Sequence, residues 1–478
     1  MATTNGTKPT THPLIINNKP HSTKASFPVH SPATGDLLHH FSSASIQDTD
    51  LAIKSAHEAY PAWKRLPPNQ KRDIFLKAAD LMTARLPELK KSMVEETGAA
   101  PGWADFNLGL APEILRDVAG RLSSISGSIP QTSREGVSAL IYKEPYGTIL
   151  AIAPWNAPYI LGIRAIIYPL AAGNTVILKA PEFSPMCSQG IVSALHDAGL
   201  PPGVLNLIAH QPSDAAAVTK HLIESPIIKK VNFTGSTAVG KIIAELAGRN
   251  LKPVLLELGG KAPAIVWEDA DLELAAKECV MGAFLHAGQI CMSTERVIVH
   301  ESVVEKFEEE FKKAVKAFAP EGGDAPVLIN AAGVQKNQRL LKDAVGKGAK
   351  VIHGDHEAGE GAKMMPVIVK GVNKDMDLFY TESFGPTVSL MTIKTEQEAL
   401  DLANDTEYGL SSAIFTKDLG RALRMSREIE SGAVHINGMT VHDETALPHG
   451  GMKASGYGRF GASGLDEWVR TKTVTFKD

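Results

Sequence analysis

The stretch Lys230-Val231-Asn232-Phe233-Thr234-Gly235-Ser236-Thr237-Ala238-Val239-Gly240-Lys241 decides how this chain is read. Its first five residues form a β-type run, and a helical pattern follows from Thr237. Between them lies a glycine turn. Such a junction points free backbone N–H groups and the positive end of a helix dipole at one spot, which suits an anion. Gly235 permits the turn and Gly240 permits close backbone packing. The same turn could also join strand to helix with no ligand at all. It is not a phosphate loop of the triphosphatase kind: that pattern needs Ser or Thr after Lys241 to hold Mg²⁺, and Ile242 stands there. A GxGxxG fingerprint is absent too, since Gly354, Gly359 and Gly361 sit in a charged loop.

Outward from this stretch the chain keeps an α/β rhythm. Short β-type runs occur at 149–153, 175–179, 204–208, 230–234 and 254–258, with helical stretches at about 186–198, 213–223 and 237–248. A second series of runs lies at 263–267, 296–300, 366–370, 387–393, 412–416 and 433–437. The alternation predicts an α/β fold with two doubly wound open sheets, meeting at a cleft near Leu258 to Gly260. Upstream, helical periodicity spans 48–66 and 69–96 and stops near Gly98. Residues 1–11 read as a frayed tail. The Ser-, Gly- and Pro-rich segment 122–146 reads as an excursion or hairpin leaving the main body. The apolar stretch from Gly147 to Gly173 carries Pro154, Asn156, Pro158, Arg164 and Pro169, so a buried strand, loop and helix is expected rather than a membrane span.

Composition narrows the function. Across 478 residues, 49 basic and 53 acidic side chains leave a net charge of −4, which gives no footprint for nucleic acid or anionic lipid. A small molecule is the natural partner. Three cysteines cannot build a disulfide framework, and they fit a reducing compartment. Residues 1–35 lack Asp and Glu but also lack Arg and any amphipathic pattern, so the expected location is the cytoplasm.

Three polar residues stand out. Cys291 follows the helix-ending pair Gly288-Gln289 and precedes a β-run, a junction that can face a cleft; a lone Cys in apolar surroundings is otherwise an inert core residue. Cys187 and Cys279 sit inside helical patterns and read as core. Glu257 closes an apolar strand, where a carboxylate is costly unless paired or functional. It is either a general base with a pKa raised by burial or the ion-pair partner of Lys261. Asn156 lies between Pro154 and Pro158 at the C-terminal end of a strand, where open α/β sheets place ligands. Its amide could donate to an oxyanion or close a local turn.

Together these segments resemble the NAD(P)-dependent aldehyde dehydrogenase superfamily, from about Asn17 to Phe476. The carriers are PWN (154–156), KAPE (179–182), FTGSTAVGK (233–241), LELGGKAP (256–263), GQIC (288–291), ESFGP (382–386) and PHGGMKASGYGRFG (448–461). Within it the chain resembles salicylaldehyde, benzaldehyde and vanillin dehydrogenases through PWNAPYILGIRAI (154–166), ETGAAPGWADFN (96–107) and VHDE (441–444). The resemblance implies Cys291 as nucleophile, Asn156 as oxyanion donor and Glu257 as the base for hydrolysis. It implies a cofactor site of Gly235, Ser236 and Gly240 at the pyrophosphate, Lys179 and Glu182 at the adenosine ribose, and Glu382 at the nicotinamide ribose. Trp155, Leu258, Gly259 and Phe384 pack nearby.

A carboxylate at Glu182 favours NAD over NADP. Trp103 would stack on an aromatic substrate and Arg164 would meet its phenolate or carboxylate. His449 stands where the family usually has Phe, which makes the substrate wall more polar and favours a hydroxylated aldehyde. The implied organisation is a cofactor domain (12–121 and 147–258), a catalytic domain (259–460) and an oligomerisation arm (122–146 and 461–478), in a homodimer or homotetramer. A CoA-acylating relative would dispense with Glu257. A silent binding protein would need none of Asn156, Glu257 and Cys291.

Overall fold

The computed structural model describes residues 10–320, 322–461 and 464–477. Two open sheets carry the fold. The first has eight strands, ordered Gly456–Tyr457, Val254–Glu257, Ile228–Thr234, Thr148–Ile152, Thr175–Lys179, Leu205–Ile208, Leu14–Ile16 and Lys19–His21. Its five central strands are parallel. Strands Thr148–Ile152, Thr175–Lys179 and Leu205–Ile208 are wholly buried, as a parallel sheet covered by helices on both faces requires. The chain winds outward in both directions from Thr148–Ile152. The order therefore reverses between that strand and Ile228–Thr234, and ligands bind at such a switch point.

The second sheet has seven strands, ordered Lys350–His353, Val367–Lys370, Thr387–Ile393, Thr294–His300, Ala262–Val266, Ser411–Phe415 and Ala433–Ile436. Its Lys350–His353 edge is antiparallel and the rest is parallel. Val137–Pro145 and Val469–Lys477 pair antiparallel along their whole lengths as a separate ribbon. The architecture is thus α/β, with two doubly wound sheets and a small β arm. The apolar stretch after Gly147 is the strand Thr148–Ile152 and the helix Pro158–Ala171, every residue of which is buried. Among the described residues no helix is long and apolar enough to cross a membrane.

Four local readings change. Thr11–His12 pairs in parallel with His40 and Phe41, so the described end of the expected frayed tail is strand; residues 1–9 lie outside the described residues. The single helical run over 69–96 is two helices, Pro68–Ala84 and Leu86–Thr97. Pro87 lies in the first turn of the second, where its missing N–H is harmless, whereas inside a continuous helix it would break the ladder. A further helix, Pro101–Arg121, packs against the others although Gly102, Gly109, Pro112 and Gly120 dilute its helical propensity. The chain also returns to the first sheet at Gly456–Tyr457, beside Leu256 and Glu257.

Candidate active site

Strand Val254–Glu257 delivers Glu257, 1% exposed, to the cleft between the sheets. The chain then runs through Gly259 and Gly260. A Cβ at Gly260 would lie 2.1 Å from the Cys291 carbonyl oxygen, so the two halves of the site touch backbone to backbone. Lys261 turns away from Glu257. It forms a buried ion pair with Glu295 and donates to the Thr381 carbonyl at 2.8 Å. Glu295 also accepts from the N–H groups of Ser383 (2.8 Å) and Phe384 (3.2 Å). This network pins the loop that carries Glu382, whose carboxylate accepts from the Gly260 N–H at 2.8 Å. Burial, and then the charge of Glu295, push the Glu382 pKa up to about 7.

Cys291 rides on an unusual turn. His286, Ala287 and Gly288 are left-handed in succession, with φ of 48°, 55° and 71°. Non-glycine residues pay for that conformation and keep it only when their surroundings insist. Gln289 supplies the insistence: its amide donates to His286 O (3.1 Å) and Val327 O (3.2 Å) and accepts from Ile329 N (2.8 Å). The Cys291 thiol donates to Glu257 Oε1 at 3.2 Å. Burial, followed by the Glu257 and Glu382 carboxylates, holds its pKa well above the ordinary thiol value. The resting sulfur therefore keeps its proton, with a carboxylate in position to take it. Cys187 and Cys279 are buried in the two cores, away from the cleft.

Asn156 is fixed from both ends. Its carbonyl accepts from the Trp103 indole N–H, and its amide donates to Gln289 O, both at 2.9 Å. The second amide N–H is left for the cavity of about 260 Å³ that Asn156, Glu257, Gly259, Cys291, Glu382 and Phe384 share. The Trp103 ring is stacked with His286 (5.6 Å) and Phe106 (5.3 Å), so it braces the Asn156 loop. Trp155 meets Phe384 edge-on at 5.9 Å.

The dinucleotide candidates lie at the switch point. Ser236 caps the helix Thr237–Arg249 by accepting from Val239 N. A Cβ at Gly240 would come within 2.5 Å of the Leu258 side chain, so only glycine lets the helix sit so low. Lys179 Nζ stands 3.6 Å from Glu182, at an apolar cavity of about 550 Å³ that also includes Phe233, Val239 and Ile243. One cavity has room for a nucleoside and the other for a small ring beside the thiol, so the residues present fit a nicotinamide dinucleotide. Lys336 also lines the inner cavity. Nothing in its local sequence marks it out.

Arg164 departs from expectation. It is buried, and its charge is met within the protein by Asp443 Oδ2 at 2.5 Å. Burial raises the Asp443 pKa, but Arg164 and then His449 outweigh it and hold the carboxylate low. A substrate anion could use Arg164 only by displacing that partner. His449 lies against Glu257: its Nε2 is 3.4 Å from Glu257 Oε1 and its Nδ1 is 4.0 Å from Asp443 Oδ1.

The clash at Gly260 makes a direct prediction. Gly260→Ala should cost roughly 2 kcal/mol of stability through overpacking. Displacing the Cys291 loop should lower kcat by about 100-fold. Thermal melting and steady-state rates check the two effects separately.

A doubly wound sheet whose switch point leads past a helix N-terminus to a thiol in the cleft has the arrangement of a nicotinamide-dinucleotide oxidoreductase. The pattern of the aldehyde dehydrogenase family matches residues 19–474. The chain is 43% identical over 474 residues to vanillin dehydrogenase of Pseudomonas fluorescens, covering 98% of each. It is 40% identical over 475 residues to salicylaldehyde dehydrogenase of Pseudomonas putida, covering 97% of this chain and 98% of the relative. A crystal structure of salicylaldehyde dehydrogenase from Pseudomonas putida G7, complexed with salicylaldehyde, superposes with a TM-score of 0.95 at 38% identity, covering 98% of each chain. This chain belongs to the aldehyde dehydrogenase family, and its activity is NAD(P)-dependent oxidation of an aldehyde.

Proposed function

We propose that the chain oxidises a hydroxylated aromatic aldehyde to its carboxylic acid with NAD, using Cys291 as nucleophile. The observation that carries this is the Cys291 Sγ to Glu257 Oε1 contact of 3.2 Å, in the cavity that also holds the Asn156 amide. As sulfur adds to the carbonyl carbon, its proton passes to Glu257. The developing oxyanion accepts from the Asn156 side chain and the Cys291 backbone N–H, a type of donor worth about 3 kcal/mol. Bound nicotinamide supplies the hydride acceptor, which leaves a thioester on Cys291. Glu257 must first release the proton it took from the thiol, and as a carboxylate again it deprotonates the water that hydrolyses the thioester.

The aromatic preference rests on the vanillin and salicylaldehyde relatives and on the polar wall that His449 makes. A panel of benzaldehyde, hydroxybenzaldehydes and aliphatic aldehydes tests it. The proposal expects kcat/KM to be highest for the hydroxylated rings, and equal values for aliphatic substrates would sink it. The preference for NAD rests on Glu182, which accepts from a ribose 2′-hydroxyl and repels a 2′-phosphate. Glu182→Gln should narrow the NAD-to-NADP ratio of kcat/KM on the order of tenfold, without changing kcat with NAD. The same reading makes the enzyme a cytoplasmic homodimer or homotetramer acting on a small molecule rather than on nucleic acid or membrane. The paired arm exposes Tyr142, Val474 and Phe476, which a second copy would cover.

A further inference from the structure

We propose that His449 takes the proton from Glu257 during thioester hydrolysis and passes it to the surface along a row of imidazoles. This rests on the reading of Glu257 as the base. Hydrolysis converts water and thioester into carboxylate, thiol and one proton. A C–O bond forms, the C–S bond breaks with its electron pair on Cys291, and one proton must leave the site. Glu257, 1% exposed, receives that proton on the buried wall of the cavity. Its Oε2 is buried and has no partner among the described residues. Its Oε1 faces only the Cys291 thiol at 3.2 Å and His449 Nε2 at 3.4 Å. His449 is thus the protein group placed to restore the carboxylate.

The surroundings of His449 suit a proton in transit. Its side chain is 11% exposed and lies between two carboxylates, Glu257 on one edge and Asp443 on the other. Arg164, from the helix Pro158–Ala171, keeps Asp443 ionised. A proton moved from Glu257 to Nε2 leaves a carboxylate and an imidazolium, and the new positive charge forms between two negative ones, Glu257 and Asp443, which favour it. Behind the ring, a cavity of about 50 Å³ is bordered by His435, His442, Asp443, Glu444 and His449. That is enough for a bridging water.

His435, on the strand Ala433–Ile436, has a buried Nε2 with no partner, and its ring centre is 5.0 Å from that of His442. Burial, and then the two neighbouring imidazoles, push the His435 pKa down to about 4, so it serves as a neutral link. His442 is 42% exposed and meets Glu444 at 2.9 Å. The row therefore begins at the buried base and ends in solvent.

The test is the decay of the acyl-enzyme, followed by rapid quenching and mass spectrometry with NAD and salicylaldehyde. In His449→Phe and His449→Gln the acyl-enzyme should still form on Cys291. Its decay should slow about tenfold. Added imidazole should restore the decay in His449→Ala, which a merely structural role would not permit. His442→Gln should slow the decay several-fold without altering KM. Decay in His449→Phe at the rate of the wild type would overturn the relay, as would failure of imidazole to rescue. No acyl-enzyme in the wild type would overturn the Cys291 reading as well, so the two failures are distinguishable.

Discussion

Cys291→Ser abolishes aldehyde-dependent formation of reduced nicotinamide, by at least ~10⁴-fold in kcat/KM, while the protein keeps its fold and its affinity for NAD. The expectation follows from the turn that carries the residue. His286 to Gly288 hold left-handed conformations only because Gln289 is bonded on both sides, and that effort sets one atom, Sγ, against Glu257. Serine keeps the geometry but loses the nucleophile: a carboxylate that can take a thiol's proton as sulfur attacks cannot do so for an alkanol. The other thiols supply the control. Cys187 and Cys279 are buried away from the cleft, Cys279 in an apolar cluster, so Ser at Cys279 buries a hydroxyl at a cost of about 1–3 kcal/mol, and Ser at either position leaves kcat alone. Burial and two carboxylates hold the Cys291 thiol above its usual range. Alkylation of the free enzyme by iodoacetamide should accordingly be slow at neutral pH and climb steadily with pH. Retained oxidation in Cys291→Ser, or its loss in Cys187→Ser with the fold intact, would refute the assignment.

What could be read from the residues alone divides along a physical line. The strands from Thr148–Ile152 to Ala433–Ile436 were legible as short apolar runs, since both faces of a parallel strand must be apolar; the partly exposed antiparallel edge Lys350–His353 lacks that pattern and was not. The turn at Gly235 was legible because its chemistry is local. The helix Pro101–Arg121 was not, since glycines and a proline inside it weaken the local preference and tertiary packing overrides them. Site partners far apart in sequence escaped for a different reason. Arg164 and Asp443 are 279 residues apart, and Lys261 and Glu295 are 34 apart. Nothing periodic announces such a pair. Local reasoning therefore offered Lys261 to Glu257 and Arg164 to a substrate, whereas the fold gives each a carboxylate inside the protein. With Lys261 held by Glu295, Glu257 is free for the role of base proposed for it.

Glu257→Gln should separate the two halves of the reaction. Glutamine fills the same space but cannot accept a proton, so water is no longer activated against the thioester. Steady-state turnover should fall by about 10²–10³-fold, while one equivalent of reduced nicotinamide per site still appears in the first turnover. The same carboxylate is the neighbour of the protonated thiol, so the first turnover should itself slow at neutral pH. It should recover at alkaline pH, where the sulfur loses its proton to solvent. The steady state should recover much less, because raising the pH ionises a thiol far more readily than it replaces an oriented base at a buried carbonyl. A small thiol added to the trapped acyl-enzyme should release the acyl group, since that nucleophile brings its own ionisation and needs no base. If Glu257→Gln instead turned over at full rate, with no accumulated acyl-enzyme, Glu257 would be a structural carboxylate and the water would have to be activated elsewhere. Its burial, its single thiol contact and the diversion of Lys261 to Glu295 all point the other way.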